Sequence, residues 1–365
     1  MMRRLLVCVL LSLVVSQALT ASVSIIERKT MFKKTKSGGG KHPGGATGSQ
    51  ALIDAQGVKY FINTNITFST SSSASGAASE ASYTHAVAAS TLNGGTTSST
   101  LNDAYDGYNT MCLSLNNTVA TCETGNANFV IYNKNGPATT ECLGAVSQVN
   151  RQVVFPTQTS GSIQMSRKVF VPDNDQFARW LNYFTNTGGS PQTLTMVVAN
   201  NLGSDSNTII VSSSSGDAVA TTADNWVTSF QNFSGTTSSD PRLGHVVQGP
   251  FAAVPLAGIH FVNGDDNPFW GYTFTLNPGE TKIIANFGVV QPTKAAANAK
   301  SAELSGLPPN AVQCMSTAEQ AEIANFIPPA SIATVPTLSP ASLGALVLLL
   351  AAAAVTLLRR RRTAA

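Results

Sequence analysis

The chain has 365 residues, of which 11% are charged and 43% hydrophobic, with 29 Gly and 17 Pro among many Ser, Thr, Asn and Ala. That composition argues against a soluble α-helical protein, whose exposed faces would need far more Lys and Glu. The formal charge of +3 belongs to the two ends: residues 46–358 hold 10 Lys and Arg against 18 Asp and Glu, a net −8, which argues against a nucleic-acid partner.

In chain order, residues 1–21 read as a secretory signal peptide. Arg3 and Arg4 precede an apolar run over 5–15, and small residues such as Ala18 or Ala21 offer a cleavage site. The run is too short to span a bilayer, which needs about 20 residues. Residues 22–45 form a basic, Gly-rich flexible segment carrying Arg28, Lys29, Lys33, Lys34, Lys36 and Lys41.

Residues 46–327 are expected to form the body. Segments rich in β-branched and aromatic residues predict strands over 58–68, 129–132, 152–155, 162–171, 177–185, 193–198, 208–211, 226–230, 258–262, 270–276 and 281–290. Turn sequences such as 172–175, 187–191, 263–268 and 277–280 separate them. The Ser/Thr/Ala/Gly-rich stretch 69–102 is read as further strands with small side chains. Short strands without interleaved helices predict an all-β fold, a large antiparallel β-sandwich. Two short helices should close it, over 293–304 and 316–326, the second opened by a capping box from Ser316 to Glu319.

Four cysteines lie in the body: Cys112, Cys122, Cys142 and Cys314. An even number in an exported chain favours two disulfides, with three connectivities open. Cys112–Cys122 is close enough in sequence for a hairpin clip, which would leave Cys142–Cys314 to tie the C-terminal segment back.

Catalytic motifs are absent. His42, His85, His245 and His260 form no metal-binding pair, and no Gly-x-Ser-x-Gly elbow occurs. The carboxylate pairs Asp103/Asp106, Asp173/Asp175 and Asp265/Asp266 stand in turn-like sequence, where Asx side chains bond their own backbone. Their residue types also suit calcium, so Asp173, Asp175, Asp265 and Asp266 are the candidate ligands of a structural calcium ion, with no other cofactor expected. Trp180 reads as core, whereas Trp226 and Trp270 follow turns and could reach a rim.

The C-terminus carries three features in a row. Residues 328–340 are a Pro/Ser/Thr spacer ending in Val335, Pro336, Thr337, Leu338 and Ser339. Residues 341–358 are uncharged and, as a helix, about 27 Å long, enough to span a membrane. Arg359, Arg360, Arg361 and Arg362 follow within the tail 359–365, placing it in the cytoplasm. This tail resembles the IPTL-CTERM type of bacterial sorting signal, although Ala341 and Ser342 stand where that family often has Trp-Gly. The resemblance implies a Gram-negative host, recognition by an exosortase-type membrane protease, and delivery of the body to the envelope, cell surface or matrix.

The function expected from these features is a non-enzymatic, structural or adhesive surface protein, with the membrane, the sorting protease and an exopolysaccharide as partners. Two alternatives carry their own signatures. A carbohydrate-binding module would present a coplanar exposed Trp pair, and a polysaccharide-active enzyme would face two carboxylates across a cleft.

Overall fold

The computed structural model describes residues 48–64, 74–90, 96–99, 101–122, 127–137, 139–231 and 240–327. The signal sequence, the basic segment, the spacer with its motif 335–339, the apolar stretch 341–358 and the arginine tail lie outside the described residues. Among those described, no helix is long and apolar enough to cross a membrane.

Chain segments that alternate side chains between two faces become strands. They are β1 (Ser49–Ile53), β2 (Val58–Asn63), β3 (Ala78–Tyr83), β4 (Val87–Ser90), β5 (Thr96–Ser99), β6 (Gly107–Ser114), β7 (Phe129–Ile131), β8 (Thr139–Leu143) and β9 (Asn150–Ser160). They continue with β10 (Ile163–Phe170), β11 (Ala178–Asn186), β12 (Gln192–Asn201), β13 (Thr208–Ser213), β14 (Trp226–Gln231), β15 (Arg242–Val246), β16 (Leu256–His260), β17 (Phe269–Leu276) and β18 (Thr281–Gln291). Two α-helices, α1 (Lys294–Ser305) and α2 (Thr317–Glu322), follow β18 among the described residues.

The strands assemble into two eight-stranded sheets and a separate β4–β5 hairpin. The first sheet runs β1-β2-β3-β6-β12-β17-β16, with β7 added on β6. The second runs β13-β14-β15-β18-β11-β10-β9-β8. Neighbouring strands pair antiparallel, so the predicted β-sandwich is present, with β3, β4 and β5 in the small-residue stretch. Between the sheets lies a core that includes Tyr60, Tyr108, Met165, Trp180, Trp270 and Ile284.

The central strands of the second sheet, β11 and β18, are buried on both faces. On β11, Trp180 and Phe184 enter the inter-sheet core, while Leu181 joins an outer cluster with Phe177, Phe287, Leu304 and Phe326. Burial on both faces explains why β11 and β18 show no regular alternation of polar and apolar residues. The cover is the C-terminal cap, residues 294–327. Thr293 caps α1 by accepting from Ala296 N. Ser316 and Glu319 form the predicted reciprocal capping box on α2, worth about 1 kcal/mol.

The predicted helix 316–326 is corrected at its end. It stops at Glu322, and Ile323 forms a parallel bridge with Ile283 of β18. Extended backbone puts Ile323 and Phe326 onto the sheet's apolar face, which one helical stripe would not achieve.

Contact between cap and sheet is tight at Gly244 on β15. A Cβ there would overlap Ser301 Oγ of α1 and lie 3.0 Å from Val289 Cβ. Gly244→Ala is therefore expected to cost about 1–3 kcal/mol by overpacking, read as a lowered denaturant midpoint with an unchanged slope.

Both disulfides match the favoured sequence pairing. Cys112–Cys122 clips the loop outside the first sheet, and Cys142–Cys314 joins strand β8 to the cap.

Candidate functional site

The fold draws three carboxyl groups together beside β3, an inner strand of the first sheet, where it meets the connection leading to β6. Glu80 projects from β3, next to a register shift between β2 and β3. Asp103 and Asp106 stand in the connection leading to β6. That connection is laid against two neighbours. Ala81 N donates to Ala104 O at 2.6 Å, and Tyr105 N and Asp106 N donate to Leu202 O and Asn201 O, both at 3.2 Å. Tyr105, between the two aspartates, adopts a left-handed φ of 69°. Such a conformation is costly for a bulky residue and persists only where its surroundings impose it.

Gly203, just after β12, is the residue around which the aspartates gather. The position a Cβ would take on it lies 3.6 Å from Asp103 Oδ1 and 3.6 Å from Asp106 Oδ1. Its φ of 75° also favours glycine. Asp103 and Asp106 are half-buried, whereas Glu80 is 8% exposed. Its Oε1 accepts from Ala81 N at 3.1 Å and Ala104 N at 3.4 Å. Burial pushes the Glu80 carboxyl up to about 9, the negative charges of Asp103 and Asp106 push the same way, and the two backbone donors oppose them. Glu80 therefore holds a proton at neutral pH beside two carboxyl groups that water can reach. Neighbouring carboxyls with divided protonation can supply a proton donor and an acceptor at one point.

The Asp103/Asp106 pair was legible in sequence. Glu80 was missed, although a signal existed: it is the only Asp, Glu, Lys or Arg between Lys59 and Asp103.

The calcium candidates are distributed among other partners. Asp173 Oδ2 accepts from Val146 N at 3.0 Å and Ser147 Oγ at 2.6 Å, holding the loop after β8. Asp175, 7% exposed, pairs with Lys300 at 2.6 Å and accepts from Asn310 Nδ2 at 3.2 Å. Asp265 faces His260 at 3.1 Å, and Asp266 accepts from Asn267 Nδ2 at 2.6 Å while its carbonyl accepts from Leu202 N. Among the described residues no group of three or more His, Cys, Asp or Glu is arranged to hold a metal ion.

His245 lies 2.9 Å from Ser229 Oγ through Nε2, the spacing of a base and nucleophile. Its Nδ1 instead faces Tyr108 OH at 3.1 Å, and all three side chains are fully buried. Burial pushes the imidazole down to about 3. This cluster is core. Trp180 and Trp270 are also fully buried, and Trp226 packs half-buried under the cap, so the rim position allowed for Trp270 is corrected and the three tryptophans form no exposed coplanar pair.

No family model and no curated protein matches the chain. Solved structures with likeness include a polysaccharide lyase (14% identity, 72% of this chain and 35% of that one, TM-score 0.37). A galactose mutarotase-like protein from Lactobacillus casei is 10% identical over 67% of this chain and 100% of its own, with a TM-score of 0.34. A heparan sulfate lyase from Pedobacter heparinus is 14% identical over 68% of this chain and 37% of its own, with a TM-score of 0.30. The chain spans about a third of the length of the two lyases, and no residue is carried over from any of the three. The two lyases are enzymes by name, which runs against the expectation that this chain is not an enzyme. The lack of a linear motif was a poor warrant for it, because Glu80, Asp103 and Asp106 are brought together only by the fold.

Proposed function

We propose that the chain is an exported, carbohydrate-active protein of the bacterial envelope, with Glu80, Asp103 and Asp106 as its acid–base groups. The observation that carries this reading is the convergence of two half-buried aspartates on Gly203 beside a carboxyl held protonated. Glycosidic cleavage needs a proton donor for the leaving oxygen and a carboxylate to stabilise the developing positive charge or activate water. Glu80 is the donor in this reading, and Asp103 or Asp106 the carboxylate. A site of three acids disfavours polyanionic chains, so the substrates are neutral or amino-sugar glycans. Two disulfides and the signal-like residues 1–21 support export. The segments 335–339, 341–358 and 359–362 support a membrane-spanning tail read by an exosortase-type protease.

The test uses the full chain purified in mild detergent, incubated with the producer's exopolysaccharide and with neutral and amino-sugar glycans. New reducing ends are expected, reduced by about 10²-fold or more in Glu80→Gln and Asp106→Asn while near-UV circular dichroism is unchanged. Absence of cleavage, or variants as active as the wild type, would overturn the proposal.

A further inference from the structure

The two disulfides differ in what surrounds them. Cys112 and Cys122 are both fully buried and pack with Phe129, Val197 and Ala199. Cys142 and Cys314 are half-buried. They form part of the wall of a cavity of about 160 Å³, together with Arg151, Phe170, Pro172 and Asp173. The rim is open: Leu143 is 62% exposed, and Ala145 is exposed beside it.

Sheet pairing accounts for the position of Arg151. Glu141 pairs with Gln152 and Leu143 with Asn150, so Cys142 stands opposite Arg151 across the β8–β9 ladder. β8 is the outermost strand of its sheet, and among the described residues no further strand covers that edge. The Arg151 guanidinium is held by two backbone carbonyls: Nε donates to Val171 O at 2.8 Å, and an outer nitrogen donates to Ile53 O. Both cysteines also hold left-handed backbone, with φ of 66° at Cys142 and 64° at Cys314, a conformation that non-glycine residues adopt at a cost. A bridge that solvent can reach, or one held in a strained conformation, is more labile than a buried, relaxed one.

We propose that Cys142–Cys314 is a thiol-exchange site, opened by a dithiol reductant that reaches it through this cavity while Cys112–Cys122 stays closed. The reductant's thiolate bonds to one cysteine sulfur, the S–S bond breaks, and the second cysteine leaves as a thiolate. The reductant's other thiolate then attacks the mixed disulfide, releasing the first cysteine. The bridge gains two electrons and two protons as the dithiol becomes a disulfide. Opening it frees the segment around Cys314, whose neighbours Ala311 and Gln313 hold the Arg179 guanidinium through their carbonyls at 2.7 Å.

The experiment exposes the full chain, in mild detergent, to dithiothreitol and then alkylates and maps the four cysteines against time. Cys142 and Cys314 are expected to label at least about tenfold faster than Cys112 and Cys122, before any loss of near-UV circular dichroism, with a rate that follows the reductant's thiolate fraction. A parallel incubation with glutathione should trap an adduct on a Cys142 or Cys314 peptide. Equal rates for the two bridges, opening that requires denaturant, or adducts on Cys112 or Cys122 instead would overturn the proposal.

Discussion

Replacing Glu80 by glutamine is expected to stabilise the protein above neutral pH and to leave its stability almost unchanged near pH 4. The ordinary carboxyl value of 4.5 rises to about 9 in the folded chain, chiefly through burial. Between those values the folded chain keeps a proton that the unfolded chain releases. Stability is therefore undiminished by this group below about pH 4.5 and declines progressively until the folded value is passed. Glutamine has no proton to keep, and the decline disappears. Each pH unit inside the window is worth about 1.4 kcal/mol, so a gain of a few kcal/mol is expected at pH 8. Denaturant unfolding of both proteins at pH 5 and pH 8 measures it, and parallel stabilities at the two pH values would contradict it. A residue that costs stability and is expected to be needed for activity shows the usual trade-off of a working site.

The second large effect is expected at Asn325, in the extended end of the cap. Its side chain is fully buried. Nδ2 donates to Val247 O at 2.8 Å and Ala285 O at 2.6 Å, and Oδ1 accepts from Ala285 N at 2.8 Å. One side chain thus satisfies backbone groups of β18 and of the residue following β15. Asn325→Ala removes this partner from the Ala285 N–H and carbonyl, while Val247 O keeps the hydrogen bond from Tyr272 OH; at about 1–3 kcal/mol for each group left unsatisfied, a total loss of roughly 2–4 kcal/mol is expected. Asn325→Asp keeps the shape but cannot donate to the two carbonyls. If it proves as damaging as alanine, hydrogen bonding is the cause; if it behaves like the wild type, packing is. Amide exchange in α1 and α2 should accelerate in both variants.

What the sequence revealed follows from side-chain size. β10, β11, β17 and β18 were legible because aromatic and β-branched residues are frequent in them. β3, with the sequence ASEASY, carries almost no such signal: Ala78, Ala81 and Tyr83 fit under larger neighbours, and a small residue reads equally well as loop. β15 was missed for a related reason, since Gly244 is needed where α1 presses closest. The Cys112–Cys122 clip was readable because ten residues suit a local bridge. The carboxyl site was half readable. Asp103 and Asp106 are neighbours in sequence, but Glu80 reaches them through a bulged strand and Gly203 through the end of β12, relations that no local spacing contains. The cap's last turn was overextended because Ile323 and Phe326 gain more from the sheet than from another helical hydrogen bond.

The strand order of the second sheet also bears on when the chain can fold. β13–β15 on one side and β8–β11 on the other meet only through β18, which pairs with both β15 and β11. The strand that unites the sheet is thus the last of the body to leave the ribosome, and its partner β11 precedes it by about a hundred residues. Pairing over such a separation is slow, because the loop must close before any contact compensates for it. The half-sheets made earlier keep open edges that a holding chaperone could occupy. In the export proposed above, a chain delayed in this way would stay loose enough to be threaded through a membrane channel, and its late central strand would set the moment at which threading must be over.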